Sequence, residues 1–164
     1  RIDLRRSPGP DGMTAIGANL RTAFLVLALG LVTAQASGQQ DAAVGLVRLK
    51  LDELAEAHGD LDLADKIRTG RLKMDSEASH AFRLDPAKSY LVLAACEDLC
   101  SHLDLVAGNA RTGAIVEDDD QDKRDEPALE IAAGEVSSLS IRVEMSGCEK
   151  ASPCVYALGL YERP

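Results

Sequence analysis

Four cysteines are the residues of this chain best suited to a specific chemical role. They form two short-spaced pairs, Cys96 with Cys100 and Cys148 with Cys154. Four cysteines allow three disulfide pairings, and the sequence alone leaves all three open. The second pair flanks a candidate hairpin turn, where opposing residues lie at the distance that a disulfide spans. Zinc binding is the alternative, but the gap that contains Pro153 departs from the usual spacing of zinc ligands.

A run of carboxylates offers a second kind of chemistry. Seven acidic residues lie within the ten-residue segment 117–126. Calcium is bound by clustered oxygen ligands, and Asp118, Asp120 and Asp122 alternate along the segment as candidate ligands. The segment has neither the glycine nor the final glutamate of an EF-hand loop. We therefore predict a solvated charged loop and no required cofactor, with a Ca²⁺ site as the alternative.

No arrangement of residues in the sequence is typical of an enzyme. The histidines, His58, His80 and His102, do not form the paired spacing of a zinc hydrolase. The chain also has no nucleophile elbow and no phosphate-binding glycine loop. Cysteines held in disulfides do not act as thiolate nucleophiles. The sequence therefore predicts a protein that is not an enzyme, with a glycoside hydrolase as the remaining alternative, because its two carboxylates would meet only in the folded protein.

The first 36 residues have the pattern of a secretory signal peptide. Residues 23–34 (AFLVLALGLVTA) are uncharged, Arg21 precedes them, and Ala34 and Ala36 have the spacing of a cleavage site. We predict a signal peptide over 1–36, with Met13 as an alternative translation start. No stretch of the chain reaches the roughly 20 apolar residues that a membrane span needs, so the mature chain is not expected to cross a membrane. An even number of cysteines also suits an exported protein, located in the periplasm or secreted.

Composition and charge exclude two classes of partner. The chain has 18 Lys and Arg against 27 Asp and Glu, a net charge of −9, and only 3% of it is aromatic. Such a chain repels phosphate backbones and anionic membranes. It also lacks the aromatic residues on which nucleic-acid bases stack. No nucleic-acid partner is expected.

A helix is predicted before the strands. Within residues 37–59, the segment 42–58 places Val44, Val47, Leu51 and Leu54 at steps of three and four, which aligns them on one face. Gly59 supplies the stop, and His58 lies at the end of the helix, where a cation suits the helix dipole. We interpret His58 as a capping residue rather than a ligand.

After Gly59 the apolar pattern changes to a period of two. In residues 139–145 it alternates strictly, whereas residues 90–95 are apolar on both faces and indicate a central strand. Short strands separated by turns at this spacing are typical of an antiparallel sandwich or barrel, here over 60–164. The eight predicted strands are Gly70–Met74, His80–Leu84, Ser89–Ala95, Leu103–Ala107, Ala114–Glu117, Ala128–Ile131, Ser138–Met145 and Cys154–Tyr161.

The cysteine segments resemble those of small exported bacterial proteins related to the bacterial pre-peptidase C-terminal (PPC-like) domain. The resemblance covers about residues 65–161. Its most specific part is the two cysteine pairs, in CEDLCSHLDL (96–105) and in VEMSGC with CVY (143–148 and 154–156). Residues 113–118 are similar to the G-x-x-V-x-x-D turn of these proteins, and Asp125-Glu126-Pro127 is similar to their D-x-x-P strand. Leu99 and His102 depart from the pattern, since acids are usual at both positions, and Ser138-Leu139 replaces a Gly-x-Tyr.

The resemblance implies a mainly β fold, an antiparallel jelly-roll-like β-sandwich with an N-terminal helix. It also implies the two local disulfides, Cys96–Cys100 and Cys148–Cys154. Members of this family are usually accessory modules without catalysis. We therefore expect an exported, non-catalytic accessory or binding module of the bacterial envelope, whose partner is an unidentified envelope or extracellular protein. The alternatives are a purely structural envelope protein and a calcium-dependent binding module that uses the 117–126 loop.

Overall fold

The computed structural model describes residues 41–119, 126–149 and 153–164. The predicted signal peptide, with Ala34 and Ala36, lies outside the described residues. One helix, α1, covers residues 41–57. The strands in chain order are β1 (Asp62–Leu63), β2 (Arg68–Leu72), β3 (Ser76–Arg83), β4 (Ser89–Cys96), β5 (Cys100–Asn109), β6 (Ile115–Asp118), β7 (Ala128–Ile131), β8 (Ser138–Cys148) and β9 (Cys154–Arg163).

The strands form two antiparallel sheets. The first sheet has the order β1-β9-β4-β7, with β2 also paired to β9, and the second has the order β3-β8-β5-β6. From β2 onward the chain passes to the other sheet at every connection except β5 to β6. This alternation between a five-stranded and a four-stranded sheet, with the orders β2-β9-β4-β7 and β3-β8-β5-β6, is the strand order of a jelly roll. The predicted fold class, a mainly β antiparallel sandwich with an N-terminal helix, is confirmed.

The core lies between the two sheets, and β8 shows how the sequence specifies it. Leu139, Ile141, Val143 and Met145 are buried, whereas the residues between them are partly exposed. Because side chains alternate across a strand, the apolar set faces the first sheet and the polar set faces outward. The alternation predicted for this strand is therefore the one observed.

The helix covers the outer face of the first sheet. Val47 and Leu51 of α1 are buried against Leu91 and Leu93 of β4 and Val155 of β9. Strand β4 lies between β9 and β7, with one face in the core and the other under α1. This two-sided burial is the reason why residues 90–95 are apolar on both faces. In the described part of the chain, no helix is long and apolar enough to cross a membrane.

Two strands are displaced from their predicted bounds where the chain passes from the first sheet to the second. The predicted β2 extends through Met74, but β2 ends at Leu72, and β3 begins at Ser76 rather than at His80. Residues 73–76 form a turn in which the Ser76 amide and hydroxyl both donate to the Lys73 carbonyl, at 3.2 and 2.7 Å. Asp75 has a positive φ of 58° in this turn. The predicted bounds missed the turn because aspartate reaches this conformation without a glycine.

Candidate functional site

The two disulfides lie at the same end of the sandwich, and each one joins the two sheets. Cys96 ends β4 of the first sheet and bonds to Cys100, which begins β5 of the second, with 5.9 Å between their Cα atoms. Cys148 ends β8 of the second sheet and bonds to Cys154, which begins β9 of the first, with a Cα separation of 6.0 Å. Both local pairings predicted from the sequence are present. Each disulfide therefore closes a crossover between the layers.

The loop closed by the first disulfide is fixed by its own hydrogen bonds. The Cys100 amide donates to the Glu97 carbonyl at 2.8 Å, which makes residues 97–100 a tight turn. The Val155 amide of β9 donates to the Glu97 carboxylate at 2.5 Å. The Glu149 amide donates to the Leu99 carbonyl at 2.9 Å. The loop is thus held from both layers, while the Leu99 side chain stays 47% exposed.

An apolar groove lies between this loop and α1. On the helix side, Leu46 and Leu49 are 67% and 59% exposed, and they flank the buried Val47. Leu99 lies on the loop side. The groove has a volume of about 540 Å³. We call this surface the leucine groove and define it by Leu46, Leu49 and Leu99 together with the residues between them, Ala43, Val47, Lys50, Glu53, Cys96, Glu97 and Asp98.

Charge is unevenly distributed around the leucine groove. The ammonium group of Lys50 lies 3.4 Å from the Glu126 carboxylate and 3.5 Å from the Cys96 carbonyl oxygen, so this cation already has partners. Glu53 and Asp98 are exposed. Within the ranges 41–119, 126–149 and 153–164, no cation lies within salt-bridge distance of either carboxylate. Among the described residues, the rim of the groove therefore carries two exposed carboxylates without an ion-pair partner beside exposed leucines.

The predicted calcium ligands are only partly described. Asp118 ends β6 and is exposed, whereas Asp120 and Asp122 lie outside the described residues. The neighbouring Asp119 accepts a hydrogen bond from the Ala128 amide at 3.0 Å, and this bond links the end of β6 to the start of β7. A carboxylate at this junction therefore has a structural role.

A second set of carboxylates lies on the outer face of the second sheet. Glu77, Glu144 and Asp104 are cross-strand partners in β3, β8 and β5, so the three acids form a row. Arg142 forms ion pairs with Glu144 and, at 3.5 Å, with Glu77, and the Ser146 hydroxyl donates to Asp104 at 2.7 Å. Opposed like charges destabilise a sheet, and these contacts offset that effect. Among the described residues, no group of three or more His, Cys, Asp or Glu side chains is arranged to hold a metal ion.

The histidine with the most specific contact is His80. Its Nε2 atom lies 2.7 Å from the hydroxyl of Tyr156, so β3 of the second sheet is linked to β9 of the first. Burial, and then the positive charge of Arg68, lower the pKa of His80. Burial raises the pKa of Tyr156. The pair is a polar link between the layers, and both groups favour their neutral forms.

The leucine groove is the part of the molecule that sequence reasoning missed. Leu46 and Leu49 lie outside the predicted apolar face of the helix, and Leu99 replaces an acidic residue of the pattern that the cysteine segment resembles. The sequence did contain one indication of this surface, because Leu46 and Leu49 lie three residues apart on the side of the helix that is expected to face solvent. Their partner surface comes from a loop some 50 residues later in the chain, which no local pattern reveals.

Comparison of the chain with models of known protein families finds no match, and a search of curated proteins finds none.

Proposed function

We propose that this protein is an exported, non-catalytic binding or accessory module of the bacterial envelope, related to the PPC-like sandwich proteins that its cysteine segments resemble. The leucine groove is the observation that carries the binding role. Three leucines between 47% and 67% exposed surround one concave surface at one end of the sandwich. Contiguous exposed apolar surface with a polar rim is typical of protein-interaction sites.

Export is supported by the disulfides. Both bonds join the two sheets, and such bonds persist in oxidising compartments such as the periplasm and the extracellular space. The predicted cleavage site after Ala36 supports the same location. Amino-terminal sequencing of the exported protein is expected to begin at Ser37. An intact amino terminus upstream of Ala23 would contradict export by a cleaved signal peptide.

The groove is suited to binding because both of its walls are fixed before a partner arrives. Val47 and Leu51 anchor the helix wall on the first sheet. The Cys96–Cys100 disulfide and the hydrogen bonds of Glu97 anchor the loop wall. Binding to a preorganised surface avoids much of the entropy cost of ordering it. The exposed leucines are therefore available for contact at little conformational cost.

Site-specific photo-crosslinking in the producing bacterium tests this function. A photoreactive amino acid at position 49 is expected to form an adduct with a protein of the envelope or extracellular fraction. The same amino acid at position 115 is the control, because Ile115 is 65% exposed on β6 and does not line the groove. The adduct should disappear when Leu46 and Leu99 are changed to serine. Equal adducts at positions 49 and 115, or none at position 49, would contradict a binding role for the groove.

A further inference from the structure

We infer that the leucine groove binds a short peptide segment of a partner protein in which apolar side chains stand next to lysine or arginine. This inference rests on the proposed binding function and adds the chemistry of the partner. Its basis is the combination of exposed leucines with the exposed carboxylates of Glu53 and Asp98, neither of which has an ion-pair partner among the described residues.

The apolar part of the partner follows from the shape of the site. Leu46, Leu49 and Leu99 each keep about half or more of their surface exposed, so the groove is open along its length. A small molecule is normally bound in a pocket that buries most of its surface, which an open groove does not do. Apolar side chains carried by a peptide can contact all three leucines at once. In such interfaces a few buried anchors supply most of the affinity.

The basic part of the partner follows from the charges. Lys50 is engaged by Glu126, whereas Glu53 and Asp98 are exposed and have no described cation within salt-bridge distance. The whole chain carries a net charge of −9. An acidic partner or an anionic membrane would therefore be repelled, and a cationic segment would be attracted from a distance. Charge complementarity selects a peptide with Lys or Arg beside its apolar anchors.

Selection from a displayed library of random peptides tests the inference with the whole protein. Enriched peptides are expected to combine large apolar residues with Lys or Arg, and their affinity should fall as salt rises. Leu46→Ser with Leu99→Ser should weaken binding about tenfold or more, since each removes an anchor. Glu53→Gln with Asp98→Asn should weaken it about two- to fivefold and reduce its salt dependence.

Two variants serve as matched controls. Ile115→Ser removes an equally exposed apolar side chain, and Glu77→Gln removes an exposed carboxylate of the second sheet. Both should keep wild-type affinity for the selected peptides. All of the altered side chains are exposed, so thermal melts should show that every variant remains folded.

The possible failures separate the inference from the proposed function. One outcome is that the selected peptides bind weakly to Leu46→Ser/Leu99→Ser and yet bind Glu53→Gln/Asp98→Asn as tightly as they bind the wild type. In that case the prediction of a basic peptide is wrong, and the groove remains a binding site. If the selected peptides bind Leu46→Ser/Leu99→Ser with wild-type affinity, or if no peptide is enriched, both proposals are overturned. A dimer in solution that Leu46→Ser dissociates would show a second copy in the groove and would also overturn the inference. Adsorption to phosphatidylcholine vesicles that depends on Leu46 would do the same.

Discussion

Cys100 and Cys148 are direct cross-strand partners in β5 and β8, although neither is bonded to the other. Each is bonded instead to a cysteine of the first sheet. Cross-strand partners have Cα atoms about 4.5–5.5 Å apart, which falls within the range that a disulfide can span. The end of the sandwich thus brings all four cysteines together, and the local pairings are selected within one cluster rather than at two remote places.

This adjacency predicts that a non-native disulfide can form when the native partners are removed. In Cys96→Ala/Cys154→Ala, the remaining Cys100 and Cys148 are expected to join on oxidation of the folded protein. Peptide mapping without reduction detects the bond. Cys96→Ala/Cys100→Ala is the control and should keep the native Cys148–Cys154 bond. Two alkylatable thiols in the folded, oxidised first variant would show that these strands do not bring the cysteines within reach.

The stability of the protein should respond differently to loss of the hydroxyl group at two buried tyrosines of β9. Tyr156→Phe removes the hydrogen bond to His80, and we expect it to lower the free energy of unfolding by about 1 kcal/mol or more. The hydroxyl of Tyr161 is buried and has no hydrogen-bond partner in the described part of the chain. Burial, and then the charge of Asp52, raise the pKa of Tyr161 to about 12. Tyr161→Phe is therefore expected to be neutral or stabilising.

Urea unfolding of both tyrosine variants measures the difference. An equal loss of stability in the two variants would show that Tyr161 has a polar partner that matters. A wild-type stability for Tyr156→Phe would show that the contact with His80 contributes nothing.

Stability should fall in mild acid because of His80. Its pKa is lowered from the ordinary value of 6.5 in the folded protein, so the unfolded chain binds a proton more readily. The stabilisation is fully present above pH 6.5 and is lost as the pH falls through that value toward the lower pKa of the folded state. Urea unfolding at about pH 8 and about pH 5 should show a smaller decrease for His80→Gln than for the wild type. An equal decrease in His80→Gln and the wild type would show that His80 does not cause the loss of stability in acid.

Two glycines should respond in opposite ways to alanine. At Gly70 in β2, an added Cβ would lie 2.5 Å from the hydroxyl oxygen of Tyr156, a side chain that is buried and fixed by His80. Gly70→Ala is expected to lower the free energy of unfolding by about 1–3 kcal/mol.

At Gly45 in α1, an added Cβ meets nothing within 4 Å. Gly45→Ala should raise stability by about 0.5–1 kcal/mol, because alanine favours the helix. Thermal melts of the two variants check both signs, and a stabilised Gly70→Ala would contradict the close packing of Tyr156.

The 117–126 segment is expected to behave as a solvated charged loop. Ligand binding stabilises a fold by mass action, so an occupied site would raise the melting temperature. We expect the same melting temperature in millimolar Ca²⁺ and in chelator. A rise of several degrees that Asp120→Ala abolishes would show instead that the protein is a calcium-dependent module.

Much of the fold could be predicted because its strands have clear periodicity. The predicted bounds of β7 match the observed strand, and β8 was identified from four alternating apolar residues. The burial of both faces of β4 could also be predicted from the sequence, since a strand covered on both faces has few polar positions. The bounds of β2 and β3 were wrong because a turn without glycine separates them.

The features that could not be predicted depend on contacts between residues that are far apart in the sequence. Strand β1 has only two residues, Asp62 and Leu63, which carry no periodicity, and it exists because Glu162 and Tyr161 of β9 pair with it. The leucine groove similarly combines α1 with a loop that only the tertiary fold brings beside it. Local patterns therefore specify the elements, whereas the candidate site arises from their assembly.

The position of β9 has a consequence for biosynthesis. This strand pairs with β1 and β2 on one side and with β4 on the other, so three earlier strands of the first sheet depend on it. While a ribosome is still making residues 154–163, those strands have no hydrogen-bonding partner in their native layer apart from β7, which pairs with β4. Such a nascent chain cannot complete its first sheet early. The first sheet therefore closes only after β9 has been synthesised, whereas the strands of the second sheet, β3, β8, β5 and β6, all precede β9 and can pair before it.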